Sequence, residues 1–218
     1  MSDQADAPAA KPTPLVVAEV LVWDVPVRVF HWLLVFSVAG AWLSAESERW
    51  RWWHETLGYT TLGLMAFRLV WGCVGTRHAR FADFVRSPAV VWAYVLKMVR
   101  MRAPRHVGHN PLGAWAVLAL IALTTLAGVS GWLIADGDAP GWLEEAHELA
   151  ANALMATIAV HVLGVLFSGW LHRENLVLAM LTGRKRATAD QAIPAAWTGL
   201  GVVMVVAVAV AWFWWSQR

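Results

Sequence analysis

Residues 147–161 read HELAANALMATIAVH: two histidines bracket thirteen residues, of which all but Glu148, Asn152 and Thr157 are small or apolar. A helix rises about 21 Å over those fourteen steps and turns about 1400°, roughly 40° short of four full turns. His147 and His161 therefore share one face of one helix, at two different depths. Titratable imidazoles on so apolar a segment ask what surrounds it.

The whole chain answers in the same sense. It has 218 residues, of which 59% are hydrophobic and only 15% charged, with a mean hydropathy of +0.52. A soluble domain of this length carries far more charge, so lipid is the expected solvent. Sixteen tryptophans against two tyrosines fit that setting, since indoles favour the membrane–water interface. The length suits one bundle of four to six spans. The single cysteine, Cys73, excludes an internal disulfide, a cysteine-ligated iron–sulfur cluster and a haem attached through C-x-x-C-H. The polar, Ala- and Pro-rich opening MSDQADAPAAKPTP has no apolar h-region, so residues 1–21 are expected to form a disordered cytoplasmic tail and not a cleaved signal peptide.

Runs of about 20 mostly apolar residues occur at 29–45, 54–75, 112–135, 147–170 and 195–215. The connections between them differ in charge. The loop 76–111 holds Arg77, Arg80, Arg86, Lys97, Arg100, Arg102 and Arg105 against Asp83 alone. The next turn holds Asp136, Asp138, Glu144 and Glu145 with no Lys or Arg, and the connection after the fourth span holds Arg173, Arg184, Lys185 and Arg186. Lys and Arg concentrate in alternate loops, which predicts a cytoplasmic N-terminus and an opposite C-terminus. The basic pI of about 9.0 thus reports topology; nucleic acid is not an expected partner. Within the basic loop, SPAVVWAYVLKMVRMR (87–102) has a proline in its first turn, apolar residues on one face and cations towards its end. It predicts a helix lying along the membrane interface, with a short globular connector as the alternative.

Four of the eight histidines, His31, His54, His147 and His161, stand at or inside predicted spans. Ionisable groups at membrane depth are costly and mark functional or tightly paired sites. His31 lies at the cytoplasmic start of the first span, and His54 begins the second at the opposite surface. The levels therefore match as His31 with His161 and His54 with His147, each pair drawn from two helices. Facing imidazoles at two depths suit two non-covalent, bis-histidine b-type haems buried in the bundle. Gly58, Ala150, Ala151 and Gly164 would leave room beside the ligands, although small residues also serve ordinary helix packing. Zinc needs about four ligands around one point and would find two per level. A proton relay accommodates the same residues without explaining their pairing. Arg68, fourteen residues after His54, reaches the depth of His161, where it would either pair with haem propionates or extend to the surface. His78, His106, His109 and His172 are expected in or beside solvated loops.

The stretches VWDVPVRVFHWLLVFSV, WWHETLGY, FRLVWGCVGTRHARFADFV, GHNPLGAW and HELAANALMATIAVH together make the sequence resemble the prokaryotic cytochrome b561 family, which includes cytochrome b subunits of nickel–iron hydrogenases. The resemblance covers about residues 22–185 and implies a four-helix di-haem domain, with the axial ligands at His31, His54, His147 and His161. Residues 186–218 would then supply a linker and a fifth span. The implied function is electron transfer between the quinone pool (ubiquinone or menaquinone) and a periplasmic c-type cytochrome or hydrogenase-like protein, from a bacterial inner membrane. A free-standing superoxide or quinol oxidoreductase is the alternative, which the fifth span disfavours, and a haem-free transporter or assembly protein is a weaker one. Membrane lipid is a further expected partner, and a homodimer is compatible with this reading.

Overall fold

The computed structural model describes residues 17–137 and 139–217. The expected disorder of residues 1–16 and the contribution of Asp138 to the acidic turn lie outside the described residues. In chain order the elements are β1 (Val17–Leu21), α1 (Val25–Ser44), a 3-10 turn at Glu48–Trp50, α2 (Arg51–Val74), α3 (Phe81–Phe84), α4 (Pro88–Val99), α5 (Pro111–Ala135), α6 (Gly141–His172), α7 (Leu176–Thr182), β2 (Arg184–Thr188), a second 3-10 turn at Ala189–Gln191 and α8 (Thr198–Trp215). Five of them, α1, α2, α5, α6 and α8, are long and apolar enough to cross a membrane. The protein is an all-α, multi-pass membrane bundle, as the hydropathy pattern predicts.

The largest differences from that pattern are the starts of α1 and α6. α1 starts four residues early because Asp24 caps it: its carboxylate accepts the Val27 amide at 2.7 Å, and Pro26 occupies the first turn, where a missing N–H costs nothing. α6 begins at Gly141, six residues before His147. Its 32 residues extend about 48 Å against a hydrocarbon core of about 30 Å, so it tilts or projects beyond the core.

Packing runs in the order α8–α1–α2–α5–α6, each helix against the next. Lipid tails are as apolar as leucine, so burial does not drive this association; close van der Waals approach does. Glycines supply that approach. A Cβ at Gly40 on α1 would lie 2.6 Å from Leu57 on α2, one at Gly128 on α5 would lie 3.3 Å from Leu62 on α2, and one at Gly201 on α8 would lie 2.5 Å from Val25 on α1. No comparable seam among the described residues joins α6 to α1 or α2.

At the basic end of the bundle, β1 and β2 form an antiparallel ribbon in which Leu21 pairs with Arg184 and Val17 with Thr188. Val17–Leu21 are therefore ordered, where the composition predicts disorder. Lys185 and Ala187 of β2 turn inward while Arg184 and Arg186 face out. The buried Lys185 ammonium lies 3.2 Å from Glu174, which also pairs with Arg105 at 2.8 Å, and it donates to the His106 carbonyl at 3.3 Å. The ribbon, the α6–α7 junction and the basic loop thus close on one another.

This closure half-buries histidines that composition alone places in solvent. His78 donates through Nε2 to the Gln191 carbonyl at 2.8 Å. His109 lies between the Trp23 and Phe84 rings at centroid distances of 4.9 and 4.5 Å. Burial lowers the pKa of His78 and His106, and pushes that of His109 down to about 3.

Two outcomes follow for the purified protein. Replacing Asp24 by Ala strands the Val27 amide, the Trp71 indole and the Thr76 hydroxyl that it holds. The expected cost is about 3 kcal/mol, read as a lower thermal midpoint. Because these three histidines bind protons less readily folded than unfolded, their contribution is complete above about pH 6.5 and is lost as pH falls below it. The thermal midpoint should therefore fall between about pH 7.5 and pH 5, and His109→Gln should reduce that fall.

Candidate functional site

His54 and His147 meet at the acidic end of the bundle. Their ring centroids are 6.2 Å apart, with the planes 77° from parallel. His54, in the first turn of α2, points its Nδ1 at the carbonyl of Ala41 on α1, 2.8 Å away. His147 on α6 points its Nδ1 at the carbonyl of Ala127 on α5 at 3.0 Å, with the Ser130 hydroxyl at 3.1 Å. A carbonyl only accepts, so each Nδ1 carries the hydrogen and each Nε2 presents its lone pair. This is the arrangement by which proteins orient a metal-ligating imidazole from behind. Two such rings bound to one metal at about 2 Å each have centroids about 6 Å apart, which is the separation found.

Several backbone features fix these rings. Gly131 leaves space for His147; a Cβ there would lie 3.0 Å from its Cε1. Ala41 and Ala127 act through carbonyls, which any residue possesses. Sequence reasoning missed all three, and only Ser130, a hydroxyl on an apolar helix, offered a hint.

The second level is built differently. His31 on α1 has His161 on α6 within electrostatic reach, and its Nδ1 is buried without a hydrogen-bond partner. Arg68 is only 4% exposed; its guanidinium lies over the Phe81 ring at 4.9 Å, and its Nη1 is buried and unpartnered. It does not extend to the surface. His109, expected from the sequence in or beside a solvated loop, is within electrostatic reach of both Arg68 and His161, and its Nδ1 is also buried and unpartnered.

The residues present fit a haem b. Gly58 and Gly164 have no atom within 4 Å of where a Cβ would stand, and among the described residues the histidine-bearing helices α1 and α2 make no close seam with α6. Ala150, by contrast, is buried in packing. Unpartnered buried donors such as Arg68 Nη1 suit the acidic edge of a porphyrin. Among the described residues no group of three or more His, Cys, Asp or Glu could hold a metal ion by itself.

Known proteins give the same answer. The chain is 23% identical over 216 residues to a probable Ni/Fe-hydrogenase B-type cytochrome subunit of Bradyrhizobium diazoefficiens, covering 77% of this chain and 86% of that protein. A protein of the same description from Cupriavidus necator is 24% identical, over 74% of this chain and 85% of its own. A third, from Rhodobacter capsulatus, is 23% identical, over 79% and 83%. No solved structure matches significantly. The profile of prokaryotic cytochrome b561 matches residues 22–183, which span every histidine discussed here, and the chain belongs to that family of membrane-bound, electron-transferring b-type cytochromes.

Proposed function

We propose that the protein holds two haems b, one between His54 and His147 and one between His31 and His161, and carries electrons across the bacterial inner membrane between the quinone pool and a redox partner on the acidic side. When bound, each haem supplies a one-electron centre whose potential depends on its ligands and surroundings. The observation that carries the reading is the His54–His147 pair, with both Nδ1 atoms donated backwards and both Nε2 atoms left free. His147 and His161 lie about 21 Å apart along α6, so the same helix serves both levels.

The remaining residues supply orientation and charge. The Ala41 and Ala127 carbonyls fix the tautomers and raise the basicity of the ligating nitrogens. Arg68, buried and partly unpartnered, would hold a propionate of the His31–His161 haem by charge-assisted hydrogen bonds. Alternation of Lys- and Arg-rich connections with the acidic turn supports a cytoplasmic N-terminus and a periplasmic C-terminus. Glu144 and Glu145, both exposed, offer a docking charge to a partner outside. The relatives' description as hydrogenase cytochrome subunits favours a hydrogenase-like protein there, with a c-type cytochrome as the other candidate. Residues 22–185 form the di-haem domain in this reading, and residues 186–218 add the linker and fifth span.

The reduced-minus-oxidised spectrum tests the assignment. Ala at position 54 or 147 should remove one haem's contribution, and Ala at 31 or 161 the other; an undiminished α-band in all four variants would refute the ligand set. Filling Gly164 with Leu should lower haem content, assayed as pyridine haemochrome per mole of protein, while the helical circular dichroism persists. Valine at Gly131 should shift the His54–His147 centre selectively, since it displaces the His147 ring.

A further inference from the structure

α4 is apolar on two opposite sides. Tyr94, 4% exposed, faces the bundle, where the helix packs on α5. Trp92, Leu96 and Val99 project about 140–200° away from Tyr94 around the helix axis, and are 64%, 41% and 76% exposed. Large side chains directed away from the protein in this way mark a surface that something else covers.

The C-terminal end of α4 adds charge. Met101 adopts a left-handed backbone at φ 57°, and the chain folds back so that the Arg102 amide donates to the Lys97 carbonyl at 2.8 Å. Lys97, Arg100 and Arg102 are thereby gathered around one helix end. None of their side chains makes an ion pair or hydrogen bond among the described residues. The acids of neighbouring segments are engaged elsewhere: Asp83 with Arg80 at 2.7 Å, and Glu174 with Arg105 and Lys185. A left-handed conformation costs a non-glycine residue about 1–2 kcal/mol, and the helix ending at Thr182 uses a glycine, Gly183, for its left-handed residue. Here the position keeps a methionine that is 46% exposed, beside the three cations and the apolar face.

We propose that α4 is an anchor for anionic phospholipid. Trp92, Leu96, Val99 and Met101 enter the boundary between headgroups and acyl chains, and Lys97, Arg100 and Arg102 hold the lipid phosphates. Apolar insertion beside clustered cations is the chemistry by which interfacial helices select anionic bilayers. The lipid preference stands on α4 itself and does not depend on the orientation proposed above.

The test uses the full-length holoprotein, with phosphatidylglycerol and phosphatidylcholine as probes. Native mass spectrometry of lipid titrations should show tighter binding of phosphatidylglycerol, and hydrogen exchange in nanodiscs should show that it protects residues 88–102. The variant K97Q/R100Q/R102Q, its haem band intact, should lose that preference by roughly 100-fold, from about 5-fold per cation. Trp92→Ser combined with Val99→Ser keeps every charge and should lower protection of this segment with both lipids. Equal binding of the two lipids, a preference unchanged in the triple variant, or unchanged protection in the serine variant overturns the proposal. So does protection that rises with protein concentration regardless of lipid, which would assign the face to a second copy of the chain.

Discussion

The buried carboxylate of Asp24 sets the register on which the rest depends. It is fully excluded from solvent and takes hydrogen bonds from the Val27 amide, the Trp71 indole at 3.1 Å and the Thr76 hydroxyl at 2.5 Å. A buried charge is tolerable only when its lone pairs are met in this way. Those donors belong to the start of α1, the end of α2 and the turn beyond it, so one side chain aligns two helices lengthwise. His31 follows Asp24 by two turns on α1, and His54 lies at the far end of α2. Fixing the axial offset of these helices fixes the depth of both histidines.

Within the bundle, polarity is scarce and most of it is paired locally. Several serine and threonine hydroxyls on the spans return to carbonyls one turn back, as Ser44 does to Gly40, Thr56 to Trp52 and Thr157 to Ala153, which satisfies them without a partner helix. The imidazoles of His54 and His147 are different: their bonds cross from α2 to α1 and from α6 to α5. Each histidine-bearing helix is thus tied to the neighbour it already packs against, and the ring is held from behind through Nδ1. The His31–His161 level lacks such bonds and has Arg68 and His109 beside it instead. The two levels therefore differ in electrostatic setting.

Much of this architecture is legible in the sequence because lipid imposes simple rules. Span lengths and the facing of His147 and His161 follow from helix periodicity, and the match of His54 with His147 follows from depth alone. The ribbon of β1 and β2 is not legible. Five-residue strands with the sequence RKRAT read as a charged loop until a partner distant in the chain makes alternate residues face inward. The burial of His78 and His109 escapes for the same reason, since it depends on a loop, a ribbon and a 3-10 turn meeting. The supports of the histidine rings are main-chain carbonyls at alanines, which no residue preference announces. Arg68 shows the intermediate case: its depth is predictable, but its place over Phe81 depends on the short α3.

The ribbon also has a meaning in time. β1 is synthesised first and β2 only after the fourth span, so β1 waits for a partner through almost the whole of translation. Long-range pairing of this kind is slow to form because the intervening loop must close first. Once made, it brings together the two borders of the family-matched segment, Val22 and Gly183, whose amide and carbonyl are bonded at 2.8 Å. The ribbon is therefore a clasp that shuts only after four spans have been made, and a chain interrupted before Arg184 would leave β1 as an unpaired edge, a recognisable mark of incomplete assembly.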